Sequence, residues 1–115
     1  MFAFSFTVSL KAQYQNDNVL YKTVYPDELQ KKLKANPGYV LLDVRSDGEY
    51  HDTSSTQLLN IGRLKNAKHI NINDLGARLD ELQGFKNTPV FVYCSHSQRS
   101  RRASKMLADN GFTKV

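Results

Sequence analysis

The segment Val90-Phe91-Val92-Tyr93-Cys94-Ser95-His96-Ser97-Gln98-Arg99-Ser100 decides the fold. Four β-prone apolar or aromatic residues run into the only cysteine of the chain. No apolar side chain follows until Ala103, where a helix-like pattern has begun. The thiol is therefore expected at the tip of a strand, in a short loop, at a helix N-terminus. Backbone N–H groups at such an end point at the sulfur, and the helix dipole favours negative charge. That setting makes a thiolate available near neutral pH. A lone cysteine is most often a small buried hydrophobe. Here the apolar run stops at Cys94, and Arg99, Arg101 and Arg102 crowd the same end with positive charge, which favours a reactive thiol.

Outward from this segment the chain alternates strand and helix. Val19 to Val24 reads as a strand. Pro26 suits a first helical position, with Asp27 and Glu28 in the first turn and Leu29 and Leu33 on one face through Lys34. Pro37-Gly38 is a turn. Tyr39 to Val44 is nearly continuous apolar sequence, as expected of a strand covered on both faces. His69 to Ile72 reads as a further strand. Asp74 caps a helix carrying Leu75, Leu79 and Leu82, which Gly84 ends. Val90 to Tyr93 is the central strand, and Ala103, Met106 and Leu107 are the buried face of a last helix ended by Gly111. This alternation predicts a parallel α/β sheet, with a site at the C-terminal ends of its strands. Asp43-Val44-Arg45 and Cys94 both lie at such ends.

The strand-Cys-x-x-x-x-Arg-Ser-helix pattern resembles the active-site loop of rhodanese-family sulfurtransferases. These place five residues after the cysteine, the last commonly Arg, and Cys94 to Arg99 fits that length. Related cysteine phosphatases need one residue more before the Arg, and position 100 is Ser100. Tyr39 to Arg45 is similar to the family strand ending in Asp-Val-Arg, and Ser46-Asp47-Gly48-Glu49-Tyr50 to the short helix after it. The resemblance implies that Arg45 and Glu49 pair and brace the turn, which their spacing of four also suits. Gly62-Arg63-Leu64-Lys65-Asn66-Ala67 resembles the family's Gly-His-Ile-Pro-Gly-Ala, with Arg63 at the His position. The residues between Tyr50 and Gly62 read as a longer surface loop near the rim of the site. Ser95 stands where many relatives carry Arg, and Ser97 where many carry Gly. Ser97 is expected to alter the loop shape or to add a hydroxyl.

The resemblance covers about Tyr21 to Val115 and implies a three-layer rhodanese-like α/β fold. In it a mainly parallel central sheet has helices on both faces, here short of its last strand and helix. Residues 1–18 read as an N-terminal extension and 19–115 as the domain. Met1 to Leu10 is a short apolar run, too short to span a membrane. Residues 1–12 are similar to a remnant of a secretory signal, implying export to the periplasm. The alternative is a cytoplasmic protein whose extension is an extra strand alternating Phe2, Phe4, Phe6 and Val8.

At 115 residues there is room for one core. The net charge of +5 favours anionic ligands. No nucleic-acid motif is present, and the aromatics are not interleaved with the basic residues. His51, His69 and His96 lack metal-ligand spacing, so no metal is expected. A Ser nucleophile lacks a recognisable base and orienting acid.

The resemblance implies a double displacement at Cys94 that needs no metal or organic cofactor. The thiolate takes sulfur from a small anionic sulfane donor such as thiosulfate and passes it to cyanide, a small thiol or a partner protein in a sulfur relay. Ser95, His96, Ser97, Gln98, Arg99 and Ser100 would form the cradle, the N–H groups of 95–99 facing the sulfur and Arg99 fixing the loop and attracting the donor. Asp43, Arg45, Glu49 and Arg63 would support it. A non-catalytic binding module is the alternative, and a phosphatase or arsenate reductase the third reading.

Overall fold

The computed structural model describes residues 15–115. The expectations for residues 1–12, a signal remnant or an alternating strand, lie outside them. Three parallel strands form the sheet: β1 (Val40–Asp43), β2 (Lys68–His69) and β3 (Val90–Tyr93), in the order β2-β1-β3. Leu42 and Asp43 stand opposite Lys68 and His69 on one side. On the other side Val40 to Asp43 run in register with Val90 to Tyr93. Single hydrogen bonds carry the ladder further: Val90 N–H donates to the Lys114 carbonyl at 3.0 Å, and Lys22 N–H to that of Val115 at 3.0 Å. The fold is thus α/β with a parallel open sheet, as the alternation predicts.

Among the described residues four α-helices accompany these strands: α1 (Pro26–Ala35), α2 (Asp47–Tyr50), α3 (Ile72–Leu75) and α4 (Gln98–Asp109). Pro26 opens α1, where its missing N–H costs nothing. Leu42 and Val44 alternate along β1 and its exit and join Ile70, Leu75, Leu82, Val90, Ala103 and Leu107 in the core. Ala103 and Leu107, four apart, are the stripe α4 turns inward. Gly111, at φ +91°, ends that helix. Its N–H bonds the Ala108 carbonyl and that of Phe112 the Leu107 carbonyl, the paired bonds of a Schellman stop, with Phe112 packed in the core. Among the described residues no helix is long and apolar enough to cross a membrane.

Three local expectations are corrected. Val19 and Leu20 lie in a turn rather than a strand, their N–H groups both bonded to the Asn16 carbonyl, and Asp17 and Tyr21 form an isolated bridge. The strand at His69 is short, because Asn71 already caps α3 by accepting from Asn73 N–H at 2.9 Å. The α-helix expected from Asp74 through Leu82 is instead α3 followed by 3₁₀ turns over Gly76–Phe85, and Gly84 does not stop it. Leu79 and Leu82 are three apart, a spacing that places them on one side of a 3₁₀ turn as well.

Candidate active site

Cys94 is the residue after β3, half-buried, and α4 begins four positions later. The Ser100 N–H donates to Sγ at 3.3 Å, and the thiol points at Ser100 Oγ, 3.5 Å away. The loop doubles back between them because Ser97 takes the left-handed conformation at φ +65°. The Gln98 N–H then donates to the His96 carbonyl at 2.9 Å. The N–H bonded to the sulfur is that of Ser100, and of the N–H groups of 95–99 expected to face it, that of Gln98 is turned to the His96 carbonyl. His96 and Gln98 are exposed.

Glu49, which is 3% exposed, organises this loop from α2. Its carboxylate accepts from Arg99 Nη1 at 2.7 Å and Nη2 at 2.9 Å, and from Ser95 Oγ at 3.0 Å. Arg99 also donates to Ser95 Oγ at 2.6 Å. On its other side Glu49 closes a capping box: Oε2 accepts from Ser46 N–H at 3.1 Å and Oγ at 2.7 Å, while Glu49 N–H donates to Ser46 Oγ at 3.2 Å. Arg99, above all, holds the Glu49 carboxyl far below the usual carboxylate range, and Glu49 in turn raises the Arg99 guanidinium. The arginine ties the loop to α2 through Glu49. Its charge is paired with that of Glu49 at 2.7 Å.

The family model described as "Rhodanese-like domain" matches residues 25–115. The chain belongs to the rhodanese-like domain family. It is 28% identical over 111 residues to the uncharacterized protein YqhL of Bacillus subtilis (strain 168), covering 96% of this chain and 77% of that one. Over 88 residues it is 33% identical to a tRNA uridine(34) hydroxylase of Cytophaga hutchinsonii. Over 85 residues it is 39% identical to a probable molybdopterin-synthase adenylyltransferase of Pyropia yezoensis. These matches cover 74% and 70% of this chain but only 25% and 19% of those two proteins.

In this rhodanese-like domain the expected Arg45–Glu49 pair does not form. Arg45 pairs with Asp43, both fully buried, because residues two apart on an extended strand share a face. Asp43 accepts from the Arg45 N–H and Nε at 3.0 Å and from Nη2 at 2.7 Å. The pairing raises the guanidinium further. Nη2 also donates to the Gly62 carbonyl at 2.7 Å, and the guanidinium lies 5.7 Å from the centre of the Tyr93 ring. Tyr93 accepts from Leu64 N–H at 3.1 Å, and burial pushes its phenol up to about 12. Asp43 and Arg45 thus set the irregular rim segment 62–64 against the residue preceding Cys94. Arg63 is exposed; it donates to the Tyr50 carbonyl at 3.0 Å and covers the Tyr50 ring at 4.9 Å. Tyr50 in turn stacks on His69 at 4.3 Å.

Sequence reading missed Ser46 and Asp17. The spacing Ser46-x-x-Glu49 is a capping-box signature and could have been found. Asp17, which bonds Arg101 across 84 positions, carries no local signal.

Proposed function

We propose that this domain is a sulfurtransferase that works through a persulfide on Cys94. The observation that carries the reading is the position of the sulfur: at the C-terminal end of β3, accepting the Ser100 N–H, inside a loop braced by Glu49 and Arg99. Membership of the rhodanese-like family supports it. In the first half-reaction the Cys94 thiolate attacks the outer sulfur of thiosulfate. A new S–S bond forms, the donor's S–S bond breaks, and sulfite leaves with the electron pair. In the second, cyanide or a thiolate attacks the outer persulfide sulfur and Cys94 leaves as thiolate. The N–H of Ser100 steadies the anionic sulfur at each stage. The bonded Ser95, Arg99 and Glu49 keep the loop from reorganising as charge moves.

Mass spectrometry of the intact protein after incubation with thiosulfate tests the chemistry. A gain of one sulfur atom is expected, removed by cyanide and absent in Cys94→Ser. An unmodified mass in a folded protein whose thiol still alkylates would refute thiosulfate as donor.

A further inference from the structure

Ser97 has a side chain in a conformation that L-residues other than Asn and Asp seldom adopt. Three bonds hold it there. Its carbonyl accepts from Ser100 Oγ and from the Arg101 N–H, both at 2.9 Å. Its hydroxyl accepts from Arg101 Nη1. Arg101 is itself gripped from far upstream. Nε donates to both Asp17 oxygens, at 3.0 and 3.1 Å, and Nη2 to Oδ2 at 2.9 Å. Both side chains are mostly buried, at 24% and 17% exposed. The buried Tyr21 donates its phenol proton to Asp17 and fixes the carboxylate from behind.

We infer that Asp17 is a positioning residue for the cysteine loop: by holding Arg101 against the Ser97 hydroxyl it keeps residue 97 left-handed and the Ser100 N–H aimed at the Cys94 sulfur. The inference rests on the reading of Cys94 as the reactive thiol. It gives Ser97 its own function: a glycine could make the same turn, but only a hydroxyl gives Arg101 something to hold. Among the described residues, the charged and titratable groups around the loop are Glu49 from α2, Arg99 and Arg101 from α4, Asp17 and Tyr21 from the N-terminal turn, Arg45 after β1 and His96 within the loop. Asp17 reaches the loop through the contact of Arg101 with the Ser97 hydroxyl.

The rate of Cys94 alkylation by iodoacetamide, followed against pH in the full chain, tests this. Asp17→Asn and Ser97→Ala should each slow alkylation at neutral pH by about fivefold, the equivalent of one neutral hydrogen bond to the sulfur. Each should move the midpoint of the pH profile upward. In a Ser97→Gly background, where the turn needs no grip, Asp17→Asn should change the rate less than about twofold. Unchanged profiles in both single variants would overturn the inference, as would an equal effect of Asp17→Asn in the glycine background. Should Asp17→Asn not fold, the exposed position 97 decides: Ser97→Ala slower than Ser97→Gly supports the clasp, and equal rates overturn it. Failure of the wild-type protein to load sulfur would count against the proposed activity alone, because alkylation reports the thiol directly.

Discussion

At the scale of single residues, Glu49 does more than its place in the sequence announces. One carboxylate serves the cap of α2, the Ser95 hydroxyl and the Arg99 guanidinium. Glu49→Gln keeps the shape but leaves Arg99 without its counter-charge at a largely buried position. A cost of about 2–3 kcal/mol in urea unfolding is expected, below that of a fully buried pair because Arg99 keeps some solvent contact. The pH dependence has a definite sign. The folded-state value of Glu49 lies below its unfolded value, so its contribution is complete above about pH 4.3. It is lost as acid drives the pH down from there towards the depressed folded value. Wild-type stability should fall steeply over that window and that of Glu49→Gln less so; parallel curves would show that Glu49 is not the titrating group. From sequence alone Arg45 was the expected partner, four residues away. The real partner is 50 positions distant, and no local spacing reports a contact that only strand order creates.

Elements were legible where their signals are local and wrong where packing competes with them. Val90–Tyr93 and Pro26–Ala35 were read almost to the residue, because an apolar run ending at polar residues, and a Pro-Asp-Glu start, are decided by the segment itself. The stretch after Asn71 departs from its pattern: leucines at 75, 79 and 82 suit one α-helix, yet the short α3 buries Leu75 and the 3₁₀ run after it buries Leu82. The end of α4 is a case where the local signal is sufficient. Gly111 stands at φ +91° with its N–H on Ala108, and its neighbour Phe112 packs in the core with Leu107. Gly111→Ala meets only the Lys86 side chain, at 3.8 Å, so its penalty is conformational. It should cost about 1–2 kcal/mol by urea unfolding, and a neutral result would mean that the helix stop can shift. Leu107→Ala, from a fully buried site on the same turn, should cost about 2–5 kcal/mol. Because α4 carries Ser100, that variant should also slow Cys94 alkylation.

Across the whole molecule, the parallel sheet gathers the loops that follow β1 and β3 at one end, as the alternation of elements implied. What the alternation could not convey is how the ends are tied together. Asp43 and Arg45 form a fully buried ion pair at the exit of β1, and the same guanidinium reaches the Gly62 carbonyl and the Tyr93 ring. The pair therefore joins the rim of the site to the strand that bears Cys94. A buried pair contributes little net stability over an apolar replacement, but removing one partner strands the other charge. Asp43→Asn should cost about 3–5 kcal/mol, since Arg45 has no water to turn to. Arg45→Met should cost a similar amount by leaving the Asp43 carboxylate buried alone. The double variant should be less destabilised than the sum of the two, by about 1–3 kcal/mol, because neither charge then remains. Additive costs in urea unfolding would show that the two side chains act independently. Hydrogen exchange adds a structural readout: the Leu64 amide, bonded to the Tyr93 hydroxyl, should lose protection in Arg45→Met ahead of the β1 amides. Equal loss at both would mean that the pair supports the sheet as a whole and not the rim.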